Sequence, residues 1–288
     1  MRPNFTLSLP QGRTILLGPR TIVVGVLYVT PDSFSDGGQN FDPVRAIERA
    51  IEMQAEGADI IEVGGESTRP GATALSIEDE IARVAPVLKA LAARLTVPIA
   101  IDTYKSEIAK AAVDLGASII NDVSSLRFDP ALAEVAVRSG AALVLMHMRG
   151  HPATMQKLPP SPDIFAEAYL DLNTAIERAA SRGVRREQMV IDPGIGFGKT
   201  LEDNLAIINH LDRFGSFGLP LMIGTSRKSF IGRLTGQPAS ERLLGSAATV
   251  AIAISRGAHL IRVHDVKEMV EVARVSDAVI ASSPPDHN

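Results

Sequence analysis

The chain has 288 residues but no cysteine and no tryptophan, and only 4% of its residues are aromatic. Without cysteine it has no means of forming disulfides, thiolate metal sites or a cysteine nucleophile, and this composition fits the cytoplasmic location that we expect. An excess of one charge is also missing, since the formal net charge is only -4. Because a nucleic-acid surface needs a basic excess, we predict no nucleic-acid partner.

Long apolar runs are absent as well. Residues 247–254 form the longest weakly polar run, which is far short of the ~18 residues that indicate a membrane span. The N-terminus lacks the apolar core of a signal peptide, so we expect a soluble protein with no membrane partner. With 45% hydrophobic residues, a chain of this length can bury roughly 75% of its unfolded surface. We therefore predict one domain over residues 1–288.

Short apolar segments, each followed by a polar or glycine-rich loop and an amphipathic helical pattern, recur along the whole chain. Strands are predicted at residues 23–29, 59–64, 99–102, 118–122, 142–147, 189–192, 221–224 and 260–264. Such alternation indicates a parallel sheet covered by helices. These units favour a closed (β/α)8 TIM barrel of the α/β class, because an open sheet would leave exposed edges. Residues 1–20 are interpreted as a β lead-in, a hairpin that closes one end.

Helix starts are also visible in the sequence. Asp42 and Asp129 are each followed by proline, which predicts an N-cap with proline at the first helical position. Ser76 with Asp79 predicts a capping box. These starts place the helices between the predicted strands, as the barrel requires.

Polar residues gather at the predicted strand ends, where the active site of such a barrel lies. In residues 58–72 an apolar strand gives way to glycines, hydroxyls and Arg69, which is typical of a loop that binds an anion. The other strand ends carry Tyr28, Asp102, Asn121, His147, Asp192, Lys228, Arg262 and His264. Their convergence on one rim predicts a functional site.

Several of these residues also have purely structural interpretations. Asp102 could cap the next helix, His147 could be a structural histidine, and Asp192 could shape a turn. Arg262 and His264 share one face of the last strand, where an anionic ligand would relieve their repulsion. That pair is the hardest to explain without a ligand.

Residues 192–200 end like a P-loop, but proline stands where that motif needs its first glycine. The glycine spacing is not that of a dinucleotide fingerprint either. We expect instead a tight turn that presents Phe197 to a flat ligand and leaves Lys199 in solvent.

The residue types predict a site in two parts. Asp102, Asn121 and Asp192 offer donors and acceptors to the edge of a nitrogen-rich heterocycle, whose faces Met146 and Phe197 would cover. Beside it, the cationic side chains of Arg69, Arg262 and His264 would meet at one anion.

Several motifs, spread over most of the chain, resemble those of a known family. They are TPDSFSDGG (30–38), GGESTRPGA (64–72), IDT (101–103), INDV (120–123), LMHM (145–148), DPGIGFGK (192–199), SRKSFIG (226–232) and RVHDV (262–266). In this order they resemble the dihydropteroate synthases of the folate pathway. The resemblance implies a transferase that joins a dihydropterin diphosphate to 4-aminobenzoate, releasing diphosphate and forming 7,8-dihydropteroate. It also implies a homodimer, with 247–255 among the candidate contacts, and competition by sulfonamides.

The resemblance assigns roles residue by residue. It implies pterin contacts from Asp102, Asn121, Val123, Met146, Asp192, Phe197 and Lys228, and diphosphate contacts from Ser67, Thr68, Arg69, Arg262 and His264. The 4-aminobenzoate pocket would comprise Phe34, Thr68, Pro70, Lys228 and Ser229. The implied catalytic residues are Asp102, Asp192, Lys228, Arg262 and His264, and Mg²⁺ is the implied cofactor.

One position departs from the family pattern. Tyr28 stands where the family typically has an asparagine associated with magnesium, and Asp32 is the other candidate ligand. A neutral phenol is a poorer ligand for a hard cation than an amide oxygen. The synthase is therefore weighed against a slowed or non-catalytic pterin-binding paralogue, and more distantly against a methyltetrahydrofolate:corrinoid methyltransferase. The last has no use for the cationic residues of the predicted site.

Overall fold

The computed structural model describes residues 2–29, 42–66 and 75–282, and its central element is a barrel of parallel strands. The strands are β3 (Ile22–Tyr28), β4 (Ile60–Gly64), β5 (Ile99–Asp102), β6 (Ile119–Asp122), β7 (Ala142–Met146), β8 (Met189–Asp192), β9 (Met222–Ile223) and β10 (Leu260–Val263). Their spatial order is β8-β7-β6-β5-β4-β3-β10-β9. The ring closes where the Ile191 amide donates to the Pro220 carbonyl at 3.0 Å. The predicted (β/α)8 barrel is confirmed, with each strand boundary within one residue of its prediction.

An antiparallel hairpin closes the end of the barrel at which the strands begin. It comprises β1 (Phe5–Ser8) and β2 (Thr14–Leu17). Leu7 and Leu17 are buried together with apolar residues of the inner barrel face, such as Ile22 and Val190. The predicted lead-in is thus confirmed as a hydrophobic plug, and it leaves the opposite end of the barrel for polar side chains.

Helices surround the barrel and shield its outer face. They are α1 (Pro43–Ala55), α2 (Ile77–Ala92), α3 (Ser106–Asp114), α4 (Leu132–Ser139), α5 (Ile164–Ser181), α6 (Leu201–Asn209), α7 (Ser229–Thr235), α8 (Leu243–Ser255) and α9 (Val266–Ala281). Strand residues such as Ile61, Ile101 and Leu143 pack against their apolar faces in one continuous core. Among the described residues, none of the helices is both long and apolar enough to cross a bilayer.

Two of the three predicted helix starts are confirmed. The Asp42 side chain accepts hydrogen bonds from the first amides of α1, and Ser76 accepts from the Asp79 amide at 3.1 Å. The capping box predicted at Ser76 is only half formed, because the Asp79 carboxylate accepts from the Ser76 hydroxyl at 2.8 Å and not from its backbone amide. The start at Asp129 is wrong, because α4 begins only at Leu132. Asp129 instead accepts from the Ala131 amide at 3.0 Å and, across the loop, from the Ser106 amide at 2.7 Å. The side chain joins two loops rather than capping one helix.

Candidate active site

Four neighbouring strands bring their last inward-facing residues to one level of the barrel mouth. The strand register pairs Tyr28 with Gly64, Gly64 with Asp102, and Asp102 with Asn121. Gly64 is needed in this row, because a Cβ there would lie only 2.9 Å from a carbon of the Tyr28 ring. The sequence therefore places the phenol, the carboxylate and the amide side by side.

Arg262 lies at the centre of this group. Its guanidinium donates to Glu62 through Nε at 2.5 Å, and its Nη2 donates to Asp102 at 2.8 Å and to the Tyr28 hydroxyl at 3.0 Å. The Tyr28 hydroxyl in turn donates to Asp102 at 3.4 Å. This network differs from the predicted two-part site, in which Arg262 faced only an anion. Two buried carboxylates need a counter-ion, and Arg262 supplies it.

Glu62 is a site residue that the sequence analysis missed. It is 1% exposed, and besides Arg262 it binds the Asn121 amide, which donates to it at 3.0 Å. The signal was present in the sequence, since a lone carboxylate interrupts the apolar strand β4 and shares the inward face with Gly64. A charged residue in such a strand is rarely buried without a partner.

The site electrostatics follow from burial. Burial raises the pKa of the Asp102 carboxyl, opposed by Arg262 and reinforced by Glu62. Burial alone would lower the pKa of Arg262, but the carboxylates hold it well above its usual value. Burial also raises the pKa of Tyr28, so its phenol stays protonated and neutral. The fixed guanidinium is thus the centre around which the two acids are held.

A second cluster lies across the mouth at the end of β8. The Asp192 side chain accepts from the Gly194 amide at 2.6 Å, and the Lys228 ammonium donates to the Ile195 carbonyl. The same ammonium lies 4.7 Å from the centre of the Phe197 ring. Burial lowers the pKa of Lys228 to about 7, with Asp192 acting against it, and burial raises the pKa of Asp192. Asp192, Phe197 and Lys228, separate in sequence, are brought together as predicted.

Apolar side chains line the space between the two clusters. Val123 and Met146 form a small buried cluster with Met148 and Met155. Partly buried aromatic rings pack against this cluster, namely Tyr104, Phe128 and Phe197. The first cluster holds two buried acceptors, Asp102 Oδ1 and Asn121 Oδ1, which have no hydrogen-bond donor among the described residues. Apolar faces with unpaired acceptors at the edge suit a flat ring that carries N–H groups.

The prediction that Lys199 lies in solvent is wrong. Its side chain is buried, with the residue 6% exposed, and its ammonium donates to the Gly194 carbonyl at 2.8 Å. It also approaches the carbonyls of His147 and Phe197 at 3.4 Å each. Burial lowers the pKa of Lys199 to about 7. The loop after β8 turns its carbonyls inward, and the buried Lys199 ammonium stabilises the loop by binding them.

Replacing Gly194 with alanine tests how tightly this loop is built. Gly194 has a φ of +69°, and a Cβ there would overlap the His147 carbonyl oxygen. We expect Gly194→Ala to lower the free energy of unfolding by about 1–2 kcal/mol from the backbone conformation alone, and the overlap adds to this loss. Thermal unfolding measures the change. Gly215→Ala is the matched control, since a Cβ at Gly215 meets nothing within 4 Å; equal losses in both variants would contradict this account.

Of the remaining predicted site residues, three lie in the described part of the chain and six lie outside it. His264 follows β10, and its Nδ1 lies 3.0 Å from the Ser226 hydroxyl. His147 is buried directly after β7, where burial holds its pKa well below the usual value, and its Nε2 lies 3.5 Å from the Asp171 carboxylate. Ser229 is the first residue of α7, next to Lys228. Outside the described residues lie Asp32, Phe34, Ser67, Thr68, Arg69 and Pro70.

Known proteins resemble this chain in both sequence and fold. Residues 24–264 match the family model described as pterin binding enzyme. The dihydropteroate synthase of Escherichia coli K12 is 48% identical over 260 residues, which covers 90% of this chain and 92% of the relative.

Two solved structures agree with this match. That of Yersinia pestis dihydropteroate synthase with a sulfonamide drug complex superposes with a TM-score of 0.90 at 41% identity, covering 96% of this chain and 100% of that one. That of the Xanthomonas albilineans synthase with 4-aminobenzoic acid gives 0.89 at 41% identity, covering 97% and 100%. The chain therefore belongs to the pterin-binding enzymes, among the dihydropteroate synthases.

Proposed function

We propose that the chain condenses 7,8-dihydropterin-6-ylmethyl diphosphate with 4-aminobenzoate, giving 7,8-dihydropteroate and diphosphate. The observation that carries this is the pair of unpaired buried acceptors on Asp102 and Asn121 beside a guanidinium in an apolar-walled barrel mouth. The relatives named above support it, because they are dihydropteroate synthases and one holds 4-aminobenzoic acid.

The pterin would lie between the two clusters. Asp102, Asn121 and Asp192 bind its N–H and N edges, while Met146 and Phe197 cover its faces. The carboxylates next to the ring stabilise positive charge on it. This favours early breaking of the C–O bond between the pterin methylene and diphosphate.

Arg262 connects the ring site with the leaving group. Its Nε and Nη2 are held by Glu62, Tyr28 and Asp102, whereas Nη1 takes part in none of these hydrogen bonds. That nitrogen can donate to the departing diphosphate without reorganisation of the site. The arylamine nitrogen then forms the new C–N bond to the methylene and releases its proton.

The other substrate contacts remain predictions. Lys228 and Ser229 at the start of α7 are the described members of the proposed 4-aminobenzoate pocket. We place Phe34, Thr68 and Pro70 in the same pocket from the sequence alone. His264, Ser67 and Arg69 complete the proposed diphosphate set together with Arg262 and Thr68.

Tyr28 does not fit a magnesium ligand. Its phenol is neutral, and its hydroxyl already lies between Arg262 and Asp102. Within residues 2–29, 42–66 and 75–282, no group of three or more acidic or histidine side chains is arranged to hold a metal. We therefore assign no step to a metal at Tyr28. Mg²⁺ remains a prediction, with Asp32 and the diphosphate itself as its proposed ligands.

Diphosphate release tests the proposed function. Dihydropterin diphosphate is incubated with and without 4-aminobenzoate over a magnesium titration, and both diphosphate and dihydropteroate are measured. Release that requires 4-aminobenzoate and matches dihydropteroate one for one is the expected result. Pterin binding with no release at any magnesium concentration would identify a non-catalytic pterin-binding paralogue instead.

Exchanging Tyr28 for the asparagine of the family pattern tests the role of magnesium. We expect Tyr28→Asn to lower the magnesium concentration that gives half-maximal substrate binding, because an amide oxygen is a better ligand for a hard cation. Tyr28→Phe is the control, since it removes the hydroxyl but adds no ligand. The measurement is substrate affinity against magnesium concentration, and the same magnesium dependence in wild type and Tyr28→Asn would count against the prediction.

We also propose a homodimer in the cytoplasm. Leu244 is 83% exposed on α8, and Ile252, two turns further on, is 45% exposed. With Ala248 between them, they form an apolar strip that a second copy of the chain would cover. Sedimentation of the wild-type chain across concentrations tests the dimer.

A further inference from the structure

The two ends of the loop after β4 are joined to each other by side chains. The chain leaves the described barrel at Glu66 and returns at Leu75. The Glu66 carboxylate accepts from the Leu75 amide at 2.9 Å, and the Lys105 ammonium donates to the Leu75 carbonyl at 2.8 Å. Lys105 also donates to Glu66 at 2.7 Å. Both backbone polar groups of Leu75 are therefore held by residues of the barrel mouth.

Lys105 connects this junction to two further elements. It follows Asp102 by three positions, on the loop between β5 and α3, and it also donates to Glu80 in the first turn of α2 at 2.7 Å. The neighbouring Tyr104 hydroxyl donates to the other oxygen of Glu66 at 2.5 Å. One ammonium thus connects the loop that follows Asp102, both ends of the loop after β4, and α2.

The junction is largely shielded from water. The side chains of Glu80, Glu66 and Lys105 are 1%, 9% and 15% exposed. Burial raises the pKa of Glu80, while its hydrogen bond with Lys105 opposes the rise. Burial lowers the pKa of Lys105, but the two carboxylates outweigh it and raise the pKa overall. Removing one partner of a shielded ion pair costs more free energy of folding than removing one partner of an exposed pair, because the remaining charge stays buried.

We propose that Lys105, Glu66 and Glu80 form a positioning unit for the diphosphate and 4-aminobenzoate half of the reaction. The inference rests on the proposed function, in which Ser67 to Pro70 contact those groups. By fixing Glu66 and Leu75 relative to Asp102, the unit positions the two ends of the loop after β4 against the strand end that would bind the pterin. None of the three side chains needs to touch the substrate. Their loss should therefore weaken diphosphate and 4-aminobenzoate binding while leaving pterin binding intact.

The variant that tests this is Lys105→Met combined with Glu80→Gln, which removes one charge of each sign and keeps the net charge constant. We expect its affinity for inorganic diphosphate, measured by calorimetry, to fall about tenfold, since small misplacements of binding groups cost up to a hundredfold. The KM for 4-aminobenzoate and the inhibition constant of a sulfonamide should rise in parallel. The affinity for 6-hydroxymethylpterin, which lacks the diphosphate, should stay within about twofold of wild type.

Two controls separate positioning from stability. Lys105→Arg retains the charge and should recover most of the diphosphate affinity, and Tyr104→Phe removes one hydrogen bond and should have the smallest effect. An unchanged diphosphate affinity in the folded double variant would overturn the proposal, and so would an equal loss of pterin affinity. Calorimetry decides this without turnover. If wild type releases no diphosphate, it is the proposed function that fails.

Discussion

Arg262→Met is expected to lower kcat/KM for dihydropterin diphosphate by about a thousandfold, the upper range for loss of one preorganised donor to a developing anion. In wild type the guanidinium is fixed by Glu62, Tyr28 and Asp102, so it reaches the leaving group without rearrangement. Methionine keeps much of the side-chain volume but donates nothing. The measurement is steady-state kinetics with diphosphate detection, together with pterin affinity by calorimetry.

The control for this variant addresses the carboxylates that it leaves behind. Arg262→Met exposes Glu62 and Asp102 to each other's charge in a buried site, which destabilises the fold. Combining it with Glu62→Gln removes one of these charges and should recover thermal stability but not activity. Recovery of activity in the double variant would show that Arg262 acts only as a counter-ion.

The same variant has a defined effect on the pH profile. Burial raises the pKa of Asp102 and Arg262 opposes the rise, so removing Arg262 should raise that pKa further. The acid side of the kcat/KM profile, where Asp102 becomes protonated, should therefore move to higher pH. The dependence of stability on pH is opposite to that of an acid whose pKa is lowered on folding. A carboxyl with a raised pKa favours the folded state at low pH, and that contribution is lost as the pH rises through the folded-state pKa.

Asp192→Asn should lower kcat/KM by about a hundredfold, as expected for loss of a charged hydrogen-bond acceptor worth roughly 3 kcal/mol. Asparagine retains an acceptor for the Gly194 amide, so the turn after β8 should stay folded. The negative charge of Asp192 raises the pKa of Lys228, which burial has lowered to about 7. Without that charge the pKa of Lys228 falls, and the alkaline side of the pH profile should move to lower pH.

A double-mutant cycle with Lys228→Met identifies how Asp192 acts. If Asp192 works partly through Lys228, the two substitutions together should cost less than the sum of the single losses, because contacting residues couple. The measurements are kcat/KM and the alkaline pKa for wild type and the three variants. Strict additivity with no pH shift would contradict coupling between these two groups.

The barrel and the row of polar strand ends could be predicted from the sequence because both depend on local patterns. Short apolar runs define the strands, and Asp102, Asn121 and Asp192 each come at the end of one. Since parallel strands end at the same rim, their convergence followed from the fold. The resemblance of the motifs to one family added the substrate.

The errors concern contacts between residues that are distant in sequence or backbone groups of irregular loops. The pairing of Arg262 with Glu62 spans 200 positions, and alternation along β10 gave no information about it. Lys199 was misplaced because no sequence pattern shows which way loop carbonyls point. The role of Asp129 was predicted incompletely because one of its two partners is a backbone amide from another loop.

The hydrophobic plug formed by β1 and β2 has a consequence for how this protein can change. The plug fills the barrel on the side away from Asp102 and Arg262, and its buried side chains, such as Leu7 and Leu17, are apolar. Substitutions there alter packing and thermal tolerance but reach no substrate group. A lineage or a designer can therefore adjust the heat resistance of the molecule at one end of the barrel and its chemistry at the other, with little interference between the two.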